Sequence, residues 1–148
     1  MDEPVVVDTI KRWLEEKWKN RARVDCGQGQ NVDFLVSEIL YLPWFNRPWI
    51  VHYEQVECKG TDSNVHRAIG QCLDYFWSYG RIPTYLAVPE NFLQYETLER
   101  IIKYFKLPIG ILSVNGDRVV SLRMTAPGKT RWFCTFANGE GTLISRPP

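Results

Sequence analysis

Two short apolar runs in the middle of the chain, Val32-Asp33-Phe34-Leu35-Val36 and Val56-Glu57-Cys58-Lys59-Gly60, read as strands, yet each carries a carboxylate. Side chains alternate across a strand, so Glu57 and Lys59 share one face while Cys58 takes the other. With Asp33 on the neighbouring strand, two carboxylates and an ammonium converge on one spot. At about 4 Å, two such carboxylates repel by roughly 4 kcal/mol at an effective dielectric of about 20. A divalent cation relieves that repulsion, and hard oxygen ligands favour Mg²⁺ or Mn²⁺. Taken alone, the same residues also describe a solvated ion pair at two strand ends, a common and weak feature.

The following segment supplies context. Residues 62–80 read as a helix with Asp62, Ser63 or Asn64 as its cap and Gly80 at its close. Val65, Ile69, Cys72, Phe76 and Tyr79 recur at helical spacing and should face the core. Gln71 and Tyr75, four residues apart, stack along the border of that face, where they reach either the carboxylate cluster or water.

An aspartate on one strand, Glu-x-Lys on the next and Gln-x-x-x-Tyr on the helix after it resemble the PD-(D/E)XK nuclease superfamily, in particular its recombination-nuclease branch. The resemblance spans approximately Glu3 to Val114. It implies a restriction-endonuclease-like α/β fold, three layers with a central mixed sheet between helices, as a single domain over residues 1–148. It further implies that Asp33, Glu57 and the backbone carbonyl of Cys58 hold Mg²⁺ or Mn²⁺, with Lys59 orienting water and steadying phosphate charge. Gln71 and Tyr75 would then assist catalysis or contact nucleic acid. Two departures stand out: Val32 replaces the proline that names the family, and the interval from Asp33 to Glu57 is long for a hairpin. A proline-interrupted loop, Leu42 to Trp49, fills it. Its aromatic residues beside Arg47 suit either a base-stacking flap or a plug for a small core.

The family also places an acid on its first helix. Val6, Val7, Ile10, Trp13, Leu14 and Lys17 trace one stripe of a helix opened by Pro4 and ended by Asn20. Glu3 lies in line with that stripe, whereas Asp8, Glu15 and Glu16 do not, so Glu3 is the expected third acid, with Asp8 and Glu15 open. As a first-turn charge, Glu3 also complements the helix dipole.

Further strands are expected at 21–26, 84–88, 109–114 and 118–122, a helix at 95–105, and a terminal pair within 131–145 around Asn138-Gly139. Apolar residues make up 45% of the chain, which excludes a disordered composition. No apolar run approaches the ~20 residues of a membrane span, and the scattered cysteines (Cys26, Cys58, Cys72, Cys134) read as reduced thiols of a cytoplasmic protein. The net charge of +1 is low for a DNA binder, so any basic face must be local, with Arg21, Arg23, Lys59, Arg67 and Arg81 as its candidates. His52 and His66 read as a strand residue and a helix-surface residue. The expected function is Mg²⁺-dependent hydrolysis of DNA phosphodiesters; a nucleic-acid-binding or assembly module of the same fold without turnover is the alternative. Cutting two strands needs two sites, so a homodimer is expected, through the 42–49 loop or the C-terminal hairpin with its aromatic stretch Arg131 to Phe136.

Overall fold

Pro4 begins the first helix where its missing N–H costs nothing. In the computed structural model, which describes residues 1–27, 32–44, 46, 48–78, 81–123, 131–136 and 141–145, with side chains described as far as 119, this helix is α1, Glu3–Lys17. Asn20, at φ 61°, turns the chain out of it in the left-handed region that asparagine tolerates. Three strands follow as an antiparallel meander: β1 (Arg23–Cys26), β2 (Phe34–Leu40) and β3 (Trp49–Cys58). Helix α2 (Val65–Ser78) leads to β4 (Thr84–Pro89), and α3 (Tyr95–Tyr104) leads to β5 (Ile109–Asn115). Both β4 and β5 run parallel to β3, as helix crossovers permit. Gly116, at φ 59°, makes the turn into antiparallel β6 (Arg118–Arg123), and β7 (Arg131–Phe136) and β8 (Gly141–Ser145) form a last antiparallel pair.

Alternation along these strands sorts the chain into three layers. Val56, Cys58, Tyr85, Ala87, Leu112 and Val114 pack with Val6, Ile10 and Leu14 of α1. Leu86, Val88, Ile109 and Ile111 point the other way, onto α2 and α3. The result is an α/β domain with a mixed eight-stranded sheet between helices, in the order β1-β2-β3-β4-β5-β6, with β7 on β3. Strand β3 is long enough to share one edge between two neighbours. Its residues 55–58 pair with β4 and its residues 49–52 with β7.

One irregularity matters for packing. Val36 pairs with Glu54 while Ser37 pairs with His52, so Tyr53 is an extra residue in β3. Such a bulge turns two successive side chains to one side. Trp18 stacks on Tyr53 with ring centroids 5.1 Å apart, and its indole N–H donates to Glu54 at 2.7 Å. Lys17 Nζ bonds both oxygens of Glu54 at 2.9 Å, which explains a lysine in the buried stripe of α1.

The 41–48 segment joins the end of β2 to the start of β3, while Asp33 and Glu57 lie at the opposite end of those strands. The eight residues from Trp49 to Glu57 put roughly 26 Å between the two ends. Tyr41 and Trp44, exposed at that end, are therefore remote from the carboxylates. No described helix is long and apolar enough to cross a membrane. The expected helix end at Tyr79 and Gly80, Phe45, Arg47, the Asn138-Gly139 turn, Cys134 and the aromatic faces of Trp132, Phe133 and Phe136 lie outside the described residues or side chains.

Candidate active site

The two carboxylates meet where β2 begins and β3 ends. The ladder closes with Phe34 opposite Val56, so Asp33 and Glu57 fall at the next pair of positions. Asp33 turns its carboxylate onto the strand end, where Oδ2 accepts the Cys58 backbone N–H at 2.7 Å. Within a strand the N–H and C=O of one residue leave on the same side, so the Cys58 carbonyl is directed toward that carboxylate too. The Cys58 side chain lies wholly in the α1 core, as alternation requires.

Glu57 and Lys59 occupy the face under α2. Lys59 Nζ donates to Glu57 Oε1 at 2.7 Å, with side-chain exposures of 14% and 4% that keep water largely out of the pair. The other oxygen, Glu57 Oε2, is buried with no hydrogen-bond partner, and so is Gln71 Oε1 on α2. Orphaned buried acceptors are rare, and each calls for a donor or a cation.

Electrostatics point the same way. Burial raises the pKa of Asp33, against the lowering effects of the Cys58 N–H and of Lys59. Burial likewise raises that of Glu57, and the Asp33 charge adds to it against the Lys59 bond. For Lys59, burial favours the neutral amine, but the bond to Glu57 and the charges of Glu57, Glu3 and Asp33 outweigh it and raise its pKa. Burial pushes the Cys72 thiol up, helped by the Glu57 charge beneath it.

Glu3 reaches the same place from the other layer. The start of α1 passes the end of β3 so closely that a Cβ at residue 60 would lie 2.9 Å from the Glu3 backbone nitrogen. Glycine is required there. Glu3 then lines, with Lys59, Ser63, Asn64, Arg67 and Gln71, a cleft of about 350 Å³. Tyr75 is half-buried one turn further along α2, outside the residues that line the cleft. Of the three candidate caps for α2, Asn64 serves: its Oδ1 accepts the Arg67 N–H at 2.9 Å. Ser63 and Asn64 as cleft residues were not expected from sequence, because only the cap pattern drew notice to them. A second groove, lined by Arg100, Ile101, Lys103, Tyr104 and Phe105, is largely apolar and lies at the start of β5, the far end of the sheet.

Among the described residues, no three His, Cys, Asp or Glu side chains gather as a metal-binding group. Two carboxylates and a carbonyl still fit Mg²⁺, which usually keeps several waters and takes only one or two carboxylates. The orphaned Glu57 oxygen is the acceptor that such an ion would satisfy. Comparison with protein-family models, curated proteins and solved structures finds no match to this chain.

The raised carboxyl pKa values set a pH dependence. In the absence of metal the folded chain holds these protons more tightly than the unfolded chain. Their stabilising contribution is therefore present at low pH and is lost as pH rises through the raised values. Metal binding needs both groups ionised, so Mg²⁺ should stabilise the fold more at about pH 8 than at about pH 5. Melting temperatures with Mg²⁺ and with EDTA across that range test this: a Mg²⁺ increment independent of pH would contradict the site.

Proposed function

We propose that the chain is a Mg²⁺-dependent nuclease of restriction-endonuclease-like fold that hydrolyses DNA phosphodiesters in the cleft between β3 and α2. The observation that carries this reading is the buried, half-satisfied Glu57 carboxylate, with Asp33 at the neighbouring strand end and the Lys59 ammonium 2.7 Å away. Its support from the fold is the order of Asp33 before β2, Glu-x-Lys at the end of β3, and Gln71 and Tyr75 on the following helix. Ligands of open α/β sheets gather outside the carboxyl ends of the strands, which is where this cleft lies.

Asp33, Glu57 and the Cys58 carbonyl would hold the ion, with Glu3 at the cleft mouth as a further acid. Bound there, Mg²⁺ supplies a Lewis acid for a phosphoryl oxygen and lowers the pKa of its water. The remaining work falls to the chain. Lys59, kept protonated by its acidic neighbours, presents N–H donors to a non-bridging phosphate oxygen and offsets the charge that grows there. Gln71 has an amide whose oxygen lacks a partner, so it can orient a water or a sugar hydroxyl at the cleft wall. Cys72 and Ile69 on the buried face of α2 exclude bulk water behind Glu57, which strengthens each of these interactions.

The test is direct. Plasmid and labelled oligonucleotides incubated with the protein and Mg²⁺ or Mn²⁺ should be cut, and EDTA should stop the reaction. Intact DNA under all metal conditions, from a folded and monodisperse sample, would leave a binding or assembly module as the better reading.

A further inference from the structure

The residues of the cleft are graded in burial. Lys59 is at its closed end beside the buried Glu57, Gln71 and Ser63 are half-buried, and Glu3, Asn64 and Arg67 are exposed at its mouth. Arg67 and Gln71 stand one helical turn apart on α2, about 6 Å along the axis, so they line one wall in sequence. The Arg67 guanidinium, like several others on the surface, makes no ion pair among the described residues, and it is the one arginine that lines this cleft among them. Asn64 Oδ1 is committed to the cap, which leaves its amide N–H groups as donors beside Arg67. Among the described residues that line the cleft, the one acid, Glu3, comes from α1 and not from α2. The α2 side of the mouth thus presents hydrogen-bond donors beside a guanidinium that makes no ion pair, with Glu3 facing it from α1.

We infer that Arg67, with Asn64 beside it, binds the phosphate next to the one held at Lys59, so that the substrate is a continuous polynucleotide strand and not an isolated phosphodiester. The inference rests on the nuclease reading for the identity of the strand. A planar guanidinium presents two parallel donors to phosphate oxygens, and its charge does not titrate away. A strand with its scissile phosphate at the closed end leaves the neighbouring phosphate at the mouth, beside those donors. Arg67 is then a binding and positioning residue and takes no part in bond cleavage.

Binding in EDTA separates this role from the chemistry. Fluorescence anisotropy of a labelled single strand, and of the same sequence as a duplex, is measured against salt for wild type, Arg67→Ala, Arg67→Lys and the remote control Arg100→Ala. Loss of one phosphate contact should flatten the plot of log affinity against log salt by about 0.7 on the single strand or about 0.9 on the duplex. It should also weaken binding about tenfold at low salt. Arg67→Lys should restore the slope but not the full affinity, and Arg100→Ala should change neither. One neutral methylphosphonate beside the scissile linkage should cost wild type the same affinity and cost Arg67→Ala nothing further. Unchanged slopes in Arg67→Ala, or equal methylphosphonate penalties in both proteins, would overturn the assignment. If Arg67-dependent binding is found without cleavage in Mg²⁺, the hydrolytic reading fails and this one stands. If cleavage occurs with Arg67→Ala indistinguishable from wild type in both assays, the reverse holds.

Discussion

Glu57→Gln is expected to abolish measurable Mg²⁺ binding and to lower DNA cleavage by about 10³-fold, the scale of losing the principal charge stabilisation at a reacting phosphate. The substitution keeps shape and removes charge. Glu57 is 3% exposed, with one oxygen on Lys59 and the other without a partner, so the amide fits the same space. Its fold should survive, because the amide oxygen still accepts the Lys59 N–H and the charges of Glu3 and Asp33 remain near the ammonium. Asp33→Asn should behave similarly toward the ion while retaining an acceptor for the Cys58 N–H. Calorimetric titration of Mg²⁺ into wild type and both variants decides the matter. Equal affinity in all three would sink the site.

Lys59→Ala should separate chemistry from metal binding. Cleavage is expected to fall by about 10²-fold or more, since one preorganised donor to the developing charge is removed. Once Glu57 is ionised, the metal should bind no more weakly, because the ammonium no longer competes for Glu57 Oε1. Without Lys59 the Glu57 carboxyl loses the bond that lowers its pKa, so the residual activity should move toward higher pH. The ammonium end faces the cleft and not the core, which leaves the two packed layers intact. Circular dichroism and a pH–rate profile check both halves of the expectation, and a variant that cuts at the wild-type rate would show that Lys59 has no part in the reaction.

The local parts of this arrangement could be read from the order of residues. A period of two put Glu57 and Lys59 on one face and Cys58 on the other, and the packing of Cys58 against α1 agrees. A period near 3.6 named Val65, Ile69, Cys72 and Phe76 as the buried stripe of α2, to which the structure adds Ala68. Such patterns are consequences of covalent geometry, and short stretches carry them whole. Long-range pairings are another matter. Nothing near Tyr53 in sequence announces a bulge, because a bulge exists only relative to the register of β2. Glu54 drew no attention, since its partners Lys17 and Trp18 are 37 and 36 residues away. Trp44 and Trp49 fall between Asp33 and Glu57 in the chain, yet strand length carries them to the far end of the sheet.

Of the acids on α1, sequence favoured Glu3 by its alignment with the buried stripe. What brings it to the cleft is the passage of the helix start over Gly60 at the end of β3. The sequence by itself determined which side chains share a face, since backbone periodicity is local. Only the tertiary structure decided that Asp33 caps the Cys58 N–H, that one Glu57 oxygen is left without a partner, and that Arg67 opens onto the same cleft. Those facts depend on which strand ends, helix starts and loops meet, and burial between packed layers is what gives the meeting its electrostatic consequence.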